Sequence, residues 1–161
     1  MLLSVCYSKV INVPADLLTI QAGINVANEG DTVLVAAGTY DEEIDWSYIK
    51  GIKLIGSSQD DCIISGNISL YSFQHELGHI DVNTEIMGFT ITGTDESSQY
   101  DNGIQMTWGT SPMLTNVTIS GNGGHGIDIN DWNASTYPSG VYLIRMDSGD
   151  FTQTQKVVLV N

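Results

Sequence analysis

Residues Ile86–Gly93 read IMGFTITG, and residues Leu114–Gly121 read LTNVTISG. Thr90, Ile91 and Gly93 of the first stretch match Thr118, Ile119 and Gly121 of the second, so the likeness has register as well as composition. After a polar Gly/Asn loop each copy continues into a short apolar strand, Gly103-Ile104-Gln105-Met106 and Gly126-Ile127-Asp128-Ile129. A unit of this size exposes half of its apolar side chains when it stands alone. Stacked on the next copy, strand over strand at about 4.8 Å, it buries a continuous core. The repeat therefore predicts a solenoid of parallel strands.

Upstream of the repeat, Thr32–Ala36 (TVLVA), Ile52–Gly56 (IKLIG) and Cys62–Ser65 (CIIS) have strand length and are bounded by Gly, Ser or Asp, as the first sides of such a solenoid would be. Before them, Leu17, Ile20, Ile24 and Ala27 recur at helical spacing behind Asp16, a good N-cap, and the run stops at Gly30. This predicts a short amphipathic helix. The chain of 161 residues has room for one sizeable domain, or for four or five coils with a cap at each end. Its 19 acidic and 5 basic residues give a formal charge of −14, which repels nucleic acid and anionic membranes and leaves cations, neutral glycans and basic partners. No apolar run reaches the length of a membrane span.

The run TIQAGINVANEGDTVLVAAGTYDEEI, followed by IKLIGSSQDDCIISG, resembles the N-terminal cap and first coil of the right-handed parallel β-helix proteins of the pectin-lyase-like superfamily. The resemblance covers roughly residues 11–130. It implies an all-β, right-handed parallel β-helix whose open end is plugged by the helix, with GDTV starting the first strand and Gly-Thr-Tyr turning a corner. It does not choose an activity, because that superfamily mixes lyases, hydrolases, epimerases and non-catalytic surface proteins.

Two terminal segments differ from this pattern. MLLSVCYS resembles the tail of a secretory signal, a short apolar run followed by small residues, with an ordinary first strand as the alternative. Tyr137–Asn161 reads as two alternating strands, Val141–Met146 and about Thr152–Val160, around a Ser-Gly-Asp turn. Its PSGVY opening and KVVLV close resemble the last hairpin of the C-terminal sorting domain on substrates of the type IX secretion system. The expected organisation is a signal remnant over 1–8, a capped β-helix over 9–136 and a sorting-like hairpin over 137–161. A secreted or cell-surface location and a type IX secretion partner follow from the resemblance.

Several residue groups could carry chemistry. His75-Glu76-Leu77-Gly78-His79 fits HExxH, in which two histidines one helical turn apart hold zinc and the glutamate polarises a bound water. Leu70, Phe73, Leu77 and Ile80 would form the apolar face of that helix, and a distant carboxylate such as Glu96 would be the third ligand. Yet residues 66–86 must also supply a side of the solenoid, and Ile68–Phe73 serves equally as a strand, which makes a solvated turn with two histidines the preferred reading.

Asp60-Asp61-Cys62 and Gly124-His125-Gly126 resemble the acidic pair and the GHG of polygalacturonase-type hydrolases, which need two carboxylic groups a few ångströms apart. Ile144-Arg145-Met146 resembles their substrate-binding RIK but falls in the hairpin. A lyase would need carboxylates on successive coils for calcium and an arginine base. Asp41, Glu42, Glu43, Asp45, Asp95, Glu96, Asp101, Asp128 and Asp131 supply acids, whereas Arg145 is the chain's single arginine. Trp46, Trp108 and Trp132 are the aromatic candidates for stacking on a sugar ring, with filling of corners and caps as the alternative. Asn116 opens a glycosylation-type triplet and is read as a coil corner. The sequence thus predicts a non-catalytic exported β-helix protein that binds polysaccharide and needs no cofactor. A shortened polysaccharide lyase or glycoside hydrolase, calcium-dependent in the lyase case, and a zinc peptidase are the competing readings.

Overall fold

A computed structural model describes residues 8–47, 49–71, 80–94, 101–107, 109–130, 139–148 and 151–159. Those up to residue 130 form a parallel β-solenoid of about four turns. One short helix lies near the start of the chain.

The order is β1 (Val10–Val13), α1 (Ile20–Val26), β2 (Thr32–Val35), β3 (Gly38–Asp41), β4 (Ile44–Ser47), β5 (Lys53–Gly56), β6 (Cys62–Ser65), β7 (Ile68–Tyr71), β8 (Glu85–Thr92), β9 (Ile104–Thr107), β10 (Met113–Ser120), β11 (Ile127–Asn130), β12 (Gly140–Ser148) and β13 (Phe151–Leu159). The solenoid has three walls. β1, β2, β5 and the first halves of β8 and β10 stack as the first. β3, β6 and the second halves of β8 and β10 make the second, and β4, β7, β9 and β11 the third.

The repeat falls where its register requires. Ile86 lies beside Leu114, Ile91 beside Ile119 and Thr92 beside Ser120. Alternation sends the same positions inward on every coil. Ile44, Ile68, Ile104 and Ile127 make one interior ladder, and Trp46, Leu70, Met106 and Ile129 another. Ile11, Val33, Leu54, Ile86 and Leu114 line the first wall. Most of these side chains are sealed from water, each contributing about 1.5–3 kcal/mol. Burial fails on the fourth coil, where Ile127 and Ile129 are exposed.

β8 turns the corner between two walls without breaking, pairing with β5 through Glu85–Met87 and with β6 through Thr90–Thr92. The bend sits at Gly88, whose φ is +76°. A Cβ on neighbouring Gly56 would lie 2.3 Å from the Gly88 carbonyl oxygen, so two backbones touch here where no side chain fits. In β10 the residue beside Gly88 is Asn116, with φ +50°. Asn116 is therefore the coil corner its sequence context suggested, held in a conformation that asparagine tolerates.

Three local expectations change. Thr19, not Asp16, caps α1: its hydroxyl accepts from Ala22 N at 3.1 Å, while Asp16 accepts from the backbone and side-chain nitrogens of Asn12. The helix ends at the cap residue Ala27, before Gly30, because Asp31 claims the following amide of Asn28. Gly38-Thr39-Tyr40 belongs to β3 rather than to a corner, since Gly38–Asp41 pairs with Cys62–Ser65 along its whole length. Leu70, proposed for a zinc-helix face, is in β7 and points into the core.

The hairpin forms as its alternation predicts. β12 and β13 pair antiparallel with Ser148 opposite Phe151 and constitute a sheet of their own.

Candidate functional site

The second wall carries a regular polar surface. Its outward positions run Thr39, Ile63, Thr90, Thr118 along one ladder and Asp41, Ser65, Thr92, Ser120 along the next. Thr39, Asp41, Thr118 and Ser120 are exposed or partly so, and Ser65, Thr90 and Thr92 are half-buried. The cause is the I-T/S alternation of the repeat: residues that send Ile64, Ile91 and Ile119 inward must send their hydroxyl neighbours outward. Rungs about 4.8 Å apart then present hydroxyls at a constant pitch.

The turn 57–61 borders this surface. Thr90 Oγ1 donates to the Gln59 carbonyl at 2.6 Å, and Thr118 Oγ1 lies 3.5 Å from Gln59 Oε1. Gln59 thereby bridges the third and fourth coils from a turn that belongs to the second. Asp60 and Asp61 are exposed in the same turn. Asp60 N donates to Ser58 Oγ at 3.2 Å, and Ser58 Oγ donates to Asp61 Oδ2 at 3.3 Å.

His125 stands elsewhere. Its backbone N–H donates to Asn102 Oδ1 at 2.8 Å, and its carbonyl accepts from Gly103 N at 2.9 Å. It thus opens the third wall on the fourth coil, whereas the Asp61 carbonyl receives Gly38 N at the entrance to the second wall. The acidic pair and the histidine occupy different corners of different coils, and the topology does not assemble them into one acid–base site.

The acidic candidates for calcium are likewise divided. Asp45 and Asp128 share one outer ladder but are separated by Ser69 and Gln105, so three rungs, about 14 Å, lie between them. Calcium ligands need to lie within about 2.6 Å of one ion. Glu42 is already engaged, accepting from Ile20 N at 2.9 Å and Gln21 N at 3.0 Å to complete the cap of α1. Asp128 accepts from Asn102 Nδ2 and Asn130 Nδ2. Among the described residues no three His, Cys, Asp or Glu side chains gather as a metal site. His75, Glu76 and His79 lie outside the described residues, as do Trp108, Trp132, Asp95, Glu96 and Asp131.

Trp46 is fully buried in β4, and its Nε1 donates to the Ile49 carbonyl at 2.9 Å. Its ring fills the first coil and presents no face to a sugar. The alternation Ile44, Asp45, Trp46 was the available signal, and it marks Trp46 as inward.

Asp31 and Cys62 are among the titrating groups that the fold shifts. Asp31 accepts Lys9 N at 2.7 Å and Asn28 N at 2.9 Å, and these backbone donors hold its carboxyl below the usual range. Burial pushes the Cys62 thiol up to about 11, against a smaller opposing effect of the Ser57 backbone. A protonated, buried thiol is a core group and a poor nucleophile.

The stacked walls, the helix over one end and the outward hydroxyl ladders define a parallel β-solenoid protein. Within that class, the chain belongs to the family described as "Protein of unknown function (DUF1565)", whose model matches residues 59–156. No curated protein matches the chain, and no solved structure does. Among the described residues no helix is long and apolar enough to cross a membrane.

Proposed function

We propose that this is an exported or cell-surface β-solenoid protein without catalytic activity, which binds polysaccharide along its second wall. The observation that carries the reading is the paired hydroxyl ladder, Ser65, Thr92, Ser120 and Thr90, Thr118, edged by Gln59. A polysaccharide laid along the solenoid axis meets donors and acceptors at each rung, and hydroxyl groups serve as both. The net charge of −14 favours a neutral or basic glycan over an anionic one. Separation of Asp61 from His125 supports a binding role over hydrolysis. The PSGVY and KVVLV segments of the hairpin support export by type IX secretion. No resident cofactor is part of the proposal.

The test is a screen of the purified protein against neutral and charged polysaccharides, followed by titration of the best binder with Thr92→Val and Ser120→Val variants. Each net hydrogen bond is worth about 1 kcal/mol, so each variant is expected to weaken binding roughly fivefold, with an unchanged far-ultraviolet spectrum. Failure to bind any polysaccharide would remove the partner and leave the fold intact. Turnover of a polysaccharide would replace the binding role with a catalytic one.

A further inference from the structure

The fourth coil is unfinished on its outer side. Ile127 and Ile129 are 42% and 58% exposed although they continue the core ladders, and Leu114, Val117 and Ile119 are only partly covered. β10 pairs with β8 and β11 with β9, and among the described residues neither has a partner on its other edge. Such an edge, eight residues long in β10, is a template for any strand that reaches it. The opposite end is closed by α1, where a Cβ on Gly23 would lie 2.9 Å from Val33 Cγ1.

The hairpin is incomplete in a complementary way. An isolated two-stranded ribbon is at best marginally stable in water and needs a surface to pack on. The register sets Tyr142 opposite Val157 and Ser148 opposite Phe151, and in sequence Tyr142, Ile144 and Met146 alternate along β12, so most large apolar residues of the hairpin fall in one alternate set of register positions. Val158, at a position of the other set, is 60% exposed.

We infer that the hairpin is the lid of the fourth coil, closing over β10 and β11 as α1 closes over the first coil. Reach permits it: the nine residues between β11 and β12 can span about 30 Å, several times one rung. Charge favours it over a second copy. Residues 139–161 hold two acidic and two basic residues and are neutral, so the whole −14 lies upstream, and two bare solenoid ends would repel. The family match also runs without interruption from the second coil into β13.

Hydrogen exchange on the full chain tests the lid. Amides of β10 and β11 are expected to be protected, to the same degree over a hundredfold range of protein concentration, and to exchange at least about tenfold faster in Ile144→Asp while β2 and β5 stay slow. Fast exchange of β10 and β11 in the wild-type chain would overturn the inference. Protection that vanishes on dilution would assign the end to a second copy and overturn it equally. Should Ile144→Asp fail to fold, Ile129→Cys in a Cys6→Ser chain gives an independent reading. A closed lid makes residue 129 slow to react with a water-soluble maleimide, and rapid labelling refutes closure.

Discussion

The meeting of Gly56 and Gly88 allows the cost of turning a solenoid corner to be divided between backbone strain and steric exclusion. Gly30 has φ +91° and nothing within 4 Å of the point where a Cβ would stand, so Gly30→Ala tests the backbone alone. A left-handed conformation costs alanine about 1–2 kcal/mol, of which roughly 0.4–1 kcal/mol is returned by the stiffer unfolded chain. Gly56 has no strained φ, but its Cβ would stand 2.3 Å from the Gly88 oxygen and 3.1 Å from the Phe89 ring. Gly56→Ala must displace ladder backbone, an overpacking cost of about 1–3 kcal/mol. Gly88 carries both burdens, φ +76° and a Cβ 2.8 Å from the Gly56 oxygen, and Gly88→Ala is expected to cost about 2–4 kcal/mol. With an m-value of about 2 kcal/mol/M, urea midpoints followed by circular dichroism should fall by about 0.8 M or less for Gly30→Ala and about 1–2 M for Gly88→Ala. Equal shifts for the two, or an unshifted Gly56→Ala, would show that the corner is not held by close backbone approach.

Trp46→Ala should cost about 3–5 kcal/mol by opening a cavity in the first coil, and Trp46→Phe less; binding of a glycan by Trp46→Phe should be unchanged because the ring is inside. Asp31 is held below the ordinary carboxylate range by its bonds from Lys9 and Asn28, so its contribution is present above the unfolded value and is lost as pH falls through the lowered folded value. Asp31→Asn should flatten that acid limb, read as exchange of β1 amides while pH is lowered through and below the ordinary carboxylate range. Cys62 has the opposite sign of effect: the folded thiol keeps its proton while the unfolded one ionises at about pH 8.5, so stability is level below that pH and falls toward about 11. Cys62→Ala should remove the part of the alkaline slope of urea midpoints that begins at about pH 8.5, leaving the later part due to the raised Tyr40 phenol. Metal analysis should find no stoichiometric zinc; zinc that is present and is lost in His75→Ala would replace the proposed function with a peptidase reading.

What can be read from the chain depends on whether a residue's role is set by its neighbours in sequence or by the coil above it. The repeat is legible because a buried solenoid wall demands the same alternation on every coil, and the pairing of Thr92 with Ser120 and of Ile91 with Ile119 follows directly from aligned sequence. Trp46 shows how chemistry can mislead where period does not: an indole suits a sugar face, yet the neighbours Ile44 and Asp45 place it inward, opposite Leu70 of the next coil. The cap of α1 is legible only in part. Thr19, directly before Ile20, is a local N-cap that accepts from Ala22 N, but the amides of Ile20 and Gln21 are met by Glu42, more than twenty residues away, which no local pattern announces. Function meets the same limit more severely. Asp60, Asp61 and His125 each fit a familiar motif, but a catalytic site is a property of which corners coincide, and the lengths of the loops between walls decide that. Here those lengths send the acidic turn beside the hydroxyl ladder and the histidine to another wall. The surface that results is a repeating array of weak hydrogen-bonding groups, which suits a long ligand gripped at many points better than a small substrate attacked at one.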